Sequence, residues 1–280
     1  MGSVVAWWSG GITSAVACKI AIDLYWPVRV IFMDTKNEHL DTERFRLDCE
    51  KWYGQSIEVI SAIPDKYESI QDTWYRHQSL NVANGAICSS VLKRRLREDW
   101  QRQNEYSHQV FGFEFEQSEF KRAKAMGLNH PQAKPIFPLL MMGLTKEDCM
   151  RMVVDAGIKP PEMYALGFTN NNCFGTGCVQ GGVGYWKKIQ REFPDKFEAM
   201  AKVEHDLTNQ KGKPVTCLRD QSKKSKDLAK TLDDSSAAFV FLKKHPNYDN
   251  KCLDDMTGRE PEPLMDCNGF CGVNDLLGGK

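Results

Sequence analysis

The sequence predicts an α/β fold built on a mostly parallel sheet, and three observations carry that expectation. Residues 4–8, 28–34 and 57–61 are short runs rich in branched and aromatic side chains, which read as buried strands. Residues 14–25 and 40–53 stand between them as helical stretches, and strands that alternate with helices lie side by side in a parallel sheet. The third observation is local. The first strand runs directly into Ser9-Gly10-Gly11-Ile12-Thr13-Ser14, and a helix follows at once.

The later elements follow in order. Residues 88–101 read as a strongly charged helix and 109–113 as a further strand. Residues 117–126 and 145–156 are helical, the second with Thr145 as its N-cap. After Gly157 the texture changes: residues 158–184 are loop-like, rich in Gly, Asn and Pro, and carry Cys173 and Cys178. Residues 183–207 read as a long helix broken near Pro194, because an interior proline removes a backbone donor. Residues 209–226 are polar, with Lys211-Gly212-Lys213-Pro214 as a turn, and 235–244 read as a last helix. This divides the chain into a main domain, 1–208, and a Cys-containing C-terminal extension, 209–280.

Bulk properties exclude some classes. A chain of 280 residues, 41% hydrophobic and 26% charged, can bury a sizeable core. Thirty-seven basic residues balance 37 acidic ones, so no global field draws the chain to nucleic acid or membrane. No apolar run reaches the roughly 18 residues of a membrane span. No basic segment followed by an apolar one and a cleavage site opens the chain; the expected location is cytoplasmic. Ten cysteines in a reducing compartment read as buried thiols, metal ligands or catalytic thiols rather than disulfides.

The glycine turn has a direct physical reading. Amides at a helix start point outward with partial positive charge and form an anion site. Glycines permit close approach and positive φ, and Ser9, Thr13 and Ser14 add hydroxyls. The stretch is neither a Gly-x4-Gly-Lys-Ser/Thr loop nor a Gly-x-Gly-x-x-Gly turn. A plain strand–helix turn is the alternative.

The loop resembles the Ser-Gly-Gly-x-x-Ser signature of the PP-loop superfamily, the adenine-nucleotide alpha hydrolases, and more closely its phosphoadenosine phosphosulfate (PAPS) reductase-like family. Further stretches resemble that family in the same order: "VIFMDTKNEHLDTERF" (30–45), "CSSVLKRR" (88–95), "FGFEFEQSEFKRA" (111–123), and the region 135–178 that ends in "CFGTGC". "MDCNGFC" (265–271) is faintly similar to the reductases' C-terminal Glu-Cys-Gly motif. The resemblance implies a Rossmann-like parallel sheet with an adenine nucleotide at the C-terminal strand ends. Ser9, Gly10, Gly11, Thr13 and Ser14 would hold phosphates. Asp34 would sit near the nucleotide or a Mg2+ ion. Lys93, Ser118 and Arg122 match further nucleotide-site positions of the family. Asp34 can also be read as a helix cap or turn residue.

Departures from the family pattern choose among chemistries. The loop is intact, whereas sulfonucleotide reductases usually carry degraded versions; this favours ATP cleaved between its α- and β-phosphates. Thr13 stands where many ATP pyrophosphatases have Asp. Glu114 falls where the reductases have Arg, and a carboxylate there would repel a phosphosulfate, although Lys121 or Arg122 could supply a positive charge. Ser89 replaces the second Cys of the family's Cys-Cys pair, so one ligand of a [4Fe–4S] set is missing.

Cys173 and Cys178 bracket Phe-Gly-Thr-Gly, and Cys267 and Cys271 bracket Asn-Gly-Phe. Four thiolates hold an iron–sulfur cluster or a zinc ion, so these four are the expected ligands, with Cys88 as a further candidate; unliganded thiols are the alternative. A [4Fe–4S] cluster ranks ahead of zinc through the resemblance. Cys18, Cys49 and Cys149 read as core residues, whereas Cys217 and Cys252 have no assignment. Cys88 and Cys267 are the candidate catalytic thiols. Lys93, Arg94, Arg95 and Arg97 form a basic run that contacts phosphate or is a solvated face. Tyr185 and Trp186 stack a base or pack internally.

The expected activity is adenylylation of a substrate by ATP with Mg2+, for sulfur transfer onto a nucleic acid or a small molecule, with a sulfur donor or thiol-reductant protein as a partner. A reductase releasing sulfite from PAPS or its relative APS is the alternative, and a non-catalytic nucleotide-binding module is a third.

Overall fold

The computed structural model describes residues 2–25, 27–82, 85–171 and 173–258; Cys267 and Cys271 lie outside them. Its centre is a parallel sheet of five strands: β1 (Ser3–Trp8), β2 (Val28–Met33), β3 (Glu58–Ile60), β4 (Tyr106–Val110) and β5 (Pro135–Ile136). The spatial order is β3-β2-β1-β4-β5. Trp8 lies opposite Phe32, and Ala6 opposite Val110. The chain moves outward from β1 to β3 and then returns to the other side of β1. The order therefore reverses between β1 and β4, and ligands of open α/β sheets bind outside the strand ends at such a point.

β1 is almost wholly apolar because both of its faces are covered. Val4, Ala6 and Trp8 face one cluster, with α1 (Ile12–Leu24), α2 (Asp41–Tyr53) and Cys149. Val5 and Trp7 face another, with Trp100, Phe111, Phe113 and Met126. Cys18, Cys49 and Cys149 are buried core residues as expected, and burial pushes the thiols of Cys49 and Cys149 up to about 12. Thr145 caps the Lys146–Asp155 helix in a reciprocal capping box with Asp148.

A third cluster lies beyond the sheet. It joins residues from 62–92, 163–207 and 215–253 around Trp74, Tyr185 and Trp186. The polar region after residue 209 therefore contributes Val215, Cys217, Leu218, Val240 and Leu242 to the same core as the residues around Cys88 and Cys178. Tyr185 and Trp186 are fully buried, which removes them as a base-stacking platform.

Several boundaries differ from the sequence reading. The 183–207 helix is two helices, Val183–Glu192 and Pro194–Lys211, with Pro194 opening the second. The expected last helix, 235–244, is a 3-10 turn, Ser235–Ala238, followed by the strand Phe239–Val240, which pairs with Leu218–Arg219. The run 239–242 is a short apolar stretch, for which periodicity does not separate strand from helix. Helix Lys223–Thr231 went unread because its sequence is almost entirely polar. The charged helix is continuous over 87–103, but its Ser90–Arg94 turn is π-helical, a distortion found mostly at functional sites. No helix among the described residues is long and apolar enough to cross a membrane.

Glu204 ties the third cluster together. It is fully buried and accepts backbone N–H groups from Cys217 (2.7 Å) and Leu242 (2.6 Å). Burial pushes its pKa up to about 8. Between an ordinary carboxyl pKa of about 4.3 and that value, the unfolded chain releases a proton that the folded chain keeps. Stability therefore falls as pH rises through this window and levels off above it. Glu204→Gln cannot ionise but lacks one of the two acceptors. The variant should be less stable at about pH 5, and the gap should narrow towards about pH 8. Urea midpoints across that range check this; a gap that does not change with pH would contradict it.

Candidate functional site

The glycine turn sits at the C-terminal end of β1, at the switch point. Gly10 has a φ of +89°, a conformation that costs a glycine nothing. Ser14 braces the turn from inside: its Oγ accepts from Ser9 N–H (3.0 Å), bonds Ser9 Oγ (3.0 Å) and donates to Gly11 C=O (2.8 Å). Thr13 and Ser14 are buried and Ser9 is half-buried. The buried hydroxyl of Ser14 thus shapes the loop, while the backbone of residues 9–13 forms its rim. Gly112, after β4, presses on the same turn. A Cβ at this position would lie 2.6 Å from Ser14 Cα and 2.7 Å from Ser14 N, so only glycine allows that approach.

Two distant residues complete the loop. Asn171 Nδ2 donates to Gly10 C=O (2.9 Å) and to Thr42 Oγ1 (3.0 Å). Tyr164 Oη accepts from Ile12 N–H (3.3 Å), at the first turn of α1. Tyr164 is placed by α2: Asp41 accepts Glu162 N–H (2.8 Å), and Arg44 donates to Lys159 C=O (2.6 Å) and Pro160 C=O (3.2 Å).

The segment after β2 couples this loop to the cysteines. Asn37 C=O accepts the N–H groups of Phe174 (2.8 Å) and Gly175 (2.9 Å). Its side chain accepts Thr176 N–H (3.0 Å) and donates to Thr176 Oγ1 (2.9 Å). Glu38 and Cys173 form an isolated antiparallel bridge. The strand end bearing Asp34 and the Cys173–Cys178 turn are therefore one unit. Asp34 accepts from Lys36 N–H (2.7 Å) and Lys36 Nζ (2.5 Å).

Beyond this unit lies a small cavity of about 20 Å3, lined by Thr35, Cys88, Lys93, Cys173 and Cys178 among others. Three of the expected thiols thus meet, with the expected lysine, although they lie far apart in sequence. Burial pushes the Cys173 thiol up to about 11, and the positive charge of Lys93 works against that. Glu38 is held by Thr35 Oγ1 (2.7 Å) and Asn37 N–H (3.1 Å); burial raises its pKa and Lys93 lowers it. Among the described residues, no group of three or more His, Cys, Asp or Glu is arranged to hold a single metal ion.

Other expected residues are placed differently. Arg122 is buried, bonded twice to Glu119 (2.6 and 2.8 Å), with its guanidinium 4.6 Å from the Phe113 ring centre. Ser118 is exposed in the first turn of the Gln117–Asn129 helix. Glu114 pairs with Lys146 at 3.4 Å, so its charge is offset in place. Arg97 is buried, which takes it out of any solvated basic face. Sequence reading missed Asn37, Glu38, Tyr164 and Asn171. Each looks like an ordinary loop polar residue; the one available signal was that all four fall inside the family-like stretches 30–45 and 135–178.

Comparison with known proteins agrees with this geometry. The family model described as the phosphoadenosine phosphosulfate reductase domain matches residues 3–179. No curated protein matches the chain. Among solved structures, it is similar to a PAPS reductase from Candida auris in a phosphate complex. The identity is 15%, the TM-score 0.47, and the match covers 62% of this chain and 82% of that one. It is also similar to an NMN synthetase from Francisella tularensis, at 17% identity and a TM-score of 0.38, over 60% and 73% of the two chains. A third is a U34-tRNA thiolase from Methanococcus maripaludis solved with its [4Fe–4S] cluster, at 12% identity and a TM-score of 0.37, over 79% and 74%. With the family's domain matched across the sheet, the Ser9–Ser14 turn and the Cys173–Cys178 segment, the chain belongs to the phosphoadenosine phosphosulfate reductase family of the PP-loop superfamily.

Proposed function

We propose that this chain is an enzyme that binds ATP at the Ser9–Ser14 turn and cleaves it between the α- and β-phosphates, activating an acceptor for sulfur transfer. The carrying observation is the complete Ser-Gly-Gly-x-x-Ser loop, braced by Ser14 and Asn171 at the sheet's switch point. The backbone amides of Gly10 and Gly11, at the α1 N-terminus, stabilise the charge that develops on departing pyrophosphate. An acceptor oxygen attacks the α-phosphorus, the bond to the β-phosphate oxygen breaks, and the adenylylated acceptor becomes open to a sulfur nucleophile. Asp34 stands at the adjacent strand end, where a carboxylate would hold Mg2+ on the phosphates; Mg2+ supplies charge neutralisation there. The acceptor is a nucleic acid or a small molecule.

An iron–sulfur cluster at this wall would draw on the thiols of Cys88, Cys173 and Cys178, with Lys93 supplying a positive charge. A bound cluster would supply sulfur ligation or electron transfer at that wall. Cys267 and Cys271 remain candidate ligands, Cys88 and Cys267 remain candidate catalytic thiols, and zinc is the second choice of metal. Ser118 and Arg122 would act on the nucleotide only after a rearrangement of their helix.

A second reading, reduction of PAPS or APS with release of sulfite, is favoured by the Glu114–Lys146 pair. The lysine offsets the carboxylate that would otherwise repel a phosphosulfate.

Incubation of the purified protein with Mg2+ and ATP labelled in the β-phosphate should release labelled pyrophosphate once an acceptor pool, such as total RNA or a thiol-compound mixture, is added. Sulfite from PAPS and a dithiol, with no pyrophosphate from ATP, would overturn the first reading in favour of the second. Binding to the loop is tested separately. Ser14→Ala removes three hydrogen bonds and should weaken ATP binding by roughly 5- to 30-fold. Gly112→Ala forces the loop apart and should weaken it by about tenfold or more. Calorimetry showing unchanged affinity in both variants would contradict the assignment of the loop.

A further inference from the structure

The balanced charge of the chain hides a partition. Residues 211–230 carry seven basic side chains against two acidic ones, which leaves 30 basic against 35 acidic in the rest of the chain. The run lies outside residues 3–179, where the family's domain matches. Lys213, Arg219, Lys223, Lys224, Lys226 and Lys230 are exposed, and among the described residues none of the six sits in an ion pair. The two acids do not cancel them. Asp220 is buried and engaged inside the fold, where it accepts Ser222 N–H (2.9 Å), Ser225 Oγ (2.8 Å) and Lys251 Nζ (2.6 Å). These bonds staple the first turn of helix Lys223–Thr231 to the strand Leu218–Arg219. Asp227 is the one acidic side chain that the run exposes.

A solvated charged helix is ordinarily laced with pairs three or four residues apart. α2 is such a helix: Arg44 and Arg46 each bridge two carboxylates. Helix Lys223–Thr231 has the lysines without the bridges. Lys223, Lys226 and Lys230 follow a spacing of three and then four, which sets them on one side of the helix over about 10 Å. Arg219 stands beside its first turn, with its guanidinium 4.5 Å from the Phe239 ring centre.

We propose that this lobe is a docking surface for the phosphate backbone of a nucleic-acid duplex, held beside the cysteine cavity. As the place of the acceptor, it rests on the reading of the loop and cavity given above. A row of unpaired ammonium groups gains most where phosphates are dense, and a duplex carries one charge per about 1.7 Å of its axis. Single strands are gripped by aromatic rings that stack on bases. The large apolar side chains that the lobe exposes are Leu228 and Leu232, and Phe239 is half-buried against Arg219. Two leucines on a nine-residue helix also offer little apolar area to bury in a membrane. Position supports the role. Asn81 Nδ2 donates to both Cys217 C=O (3.1 Å) and Val179 C=O (3.2 Å). Val179 lines the cavity, and Arg219 follows Cys217 by two residues. One amide thus fastens the lobe to the cavity wall.

The test titrates full-length protein into labelled duplexes of about 20 base pairs, DNA and RNA, by fluorescence anisotropy over a salt series. Wild type should bind at least one duplex, with log K falling on log salt at a slope of about −3 to −5. The triple variant Lys223→Gln, Lys226→Gln, Lys230→Gln should bind about tenfold or more weakly, with a slope shallower by about 2 to 3. Neutralising the exposed Lys51, Lys124 and Lys159 in the same way should change neither. Circular dichroism and unchanged ATP binding confirm that both variants fold. Equal losses in the two triple variants, tighter binding of a single strand of the same sequence, or capture of anionic vesicles without duplex binding would overturn the assignment. Wild type that binds ATP and no duplex would overturn the lobe and leave the loop reading standing. Wild type that binds duplex and no ATP would leave the docking surface standing and overturn its acceptor role.

Discussion

Asn37 is the clasp on which the site depends. Its carbonyl receives two backbone N–H groups and its side chain holds Thr176 from both directions. These bonds join the loop after β2 to the turn between Cys173 and Cys178. The site is buried enough that a missing partner would leave polar groups without water, which makes such a network strongly specifying once it is complete. From this clasp the chain extends two ways. Asn171, a few residues upstream, grips the carbonyl of Gly10. Cys173 and Cys178 face the cavity with Cys88 and Lys93. The phosphate loop and the thiols are therefore positioned by one short segment rather than by two separate devices.

That coupling suits a reaction in two stages. The loop end has amides, a helix N-terminus and a carboxylate nearby, the equipment for handling a charged phosphate chain. The cavity end has three thiols and one lysine, with Thr35, Ser89 and Gln180 beside them. Glu38 sits between them and responds to Lys93 and Asp34, so charge arriving at either end is felt at this residue. Thr13, which lacks the acidic group common in related pyrophosphatases, is buried beneath the loop.

The first two strands, β1 and β2, were legible from sequence because they are buried on both faces, and so are plainly apolar. β1, β2 and their helices lie within a few residues of expectation. The N-cap at Thr145 and the break at Pro194 were legible because each rests on local chemistry. The Ser9–Ser14 strand–helix turn was legible for the same reason. The C-terminal part was not. Its helix Lys223–Thr231 shows no apolar stripe, and its strand Phe239–Val240 is too short to show a period. The site was half legible. Cys88, Cys173, Cys178 and Lys93 were named from motifs. Asn37, Asn171 and Tyr164 were not, because their roles depend on contacts across 130 or more positions. Arg122 illustrates the converse: it matches a motif position, but Glu119 and Phe113 hold its side chain inside.

The most direct check of this account is a crystal structure with Mg2+ and an ATP analogue that cannot be cleaved between its α- and β-phosphates. Phosphate oxygens within hydrogen-bonding distance of the backbone N–H groups of Gly10 and Gly11, with the α-phosphate turned towards Asp34 and the cysteine cavity, are the predicted result. A triphosphate bound away from the Ser9–Ser14 turn, or one whose α-phosphate points away from the cavity, would contradict it.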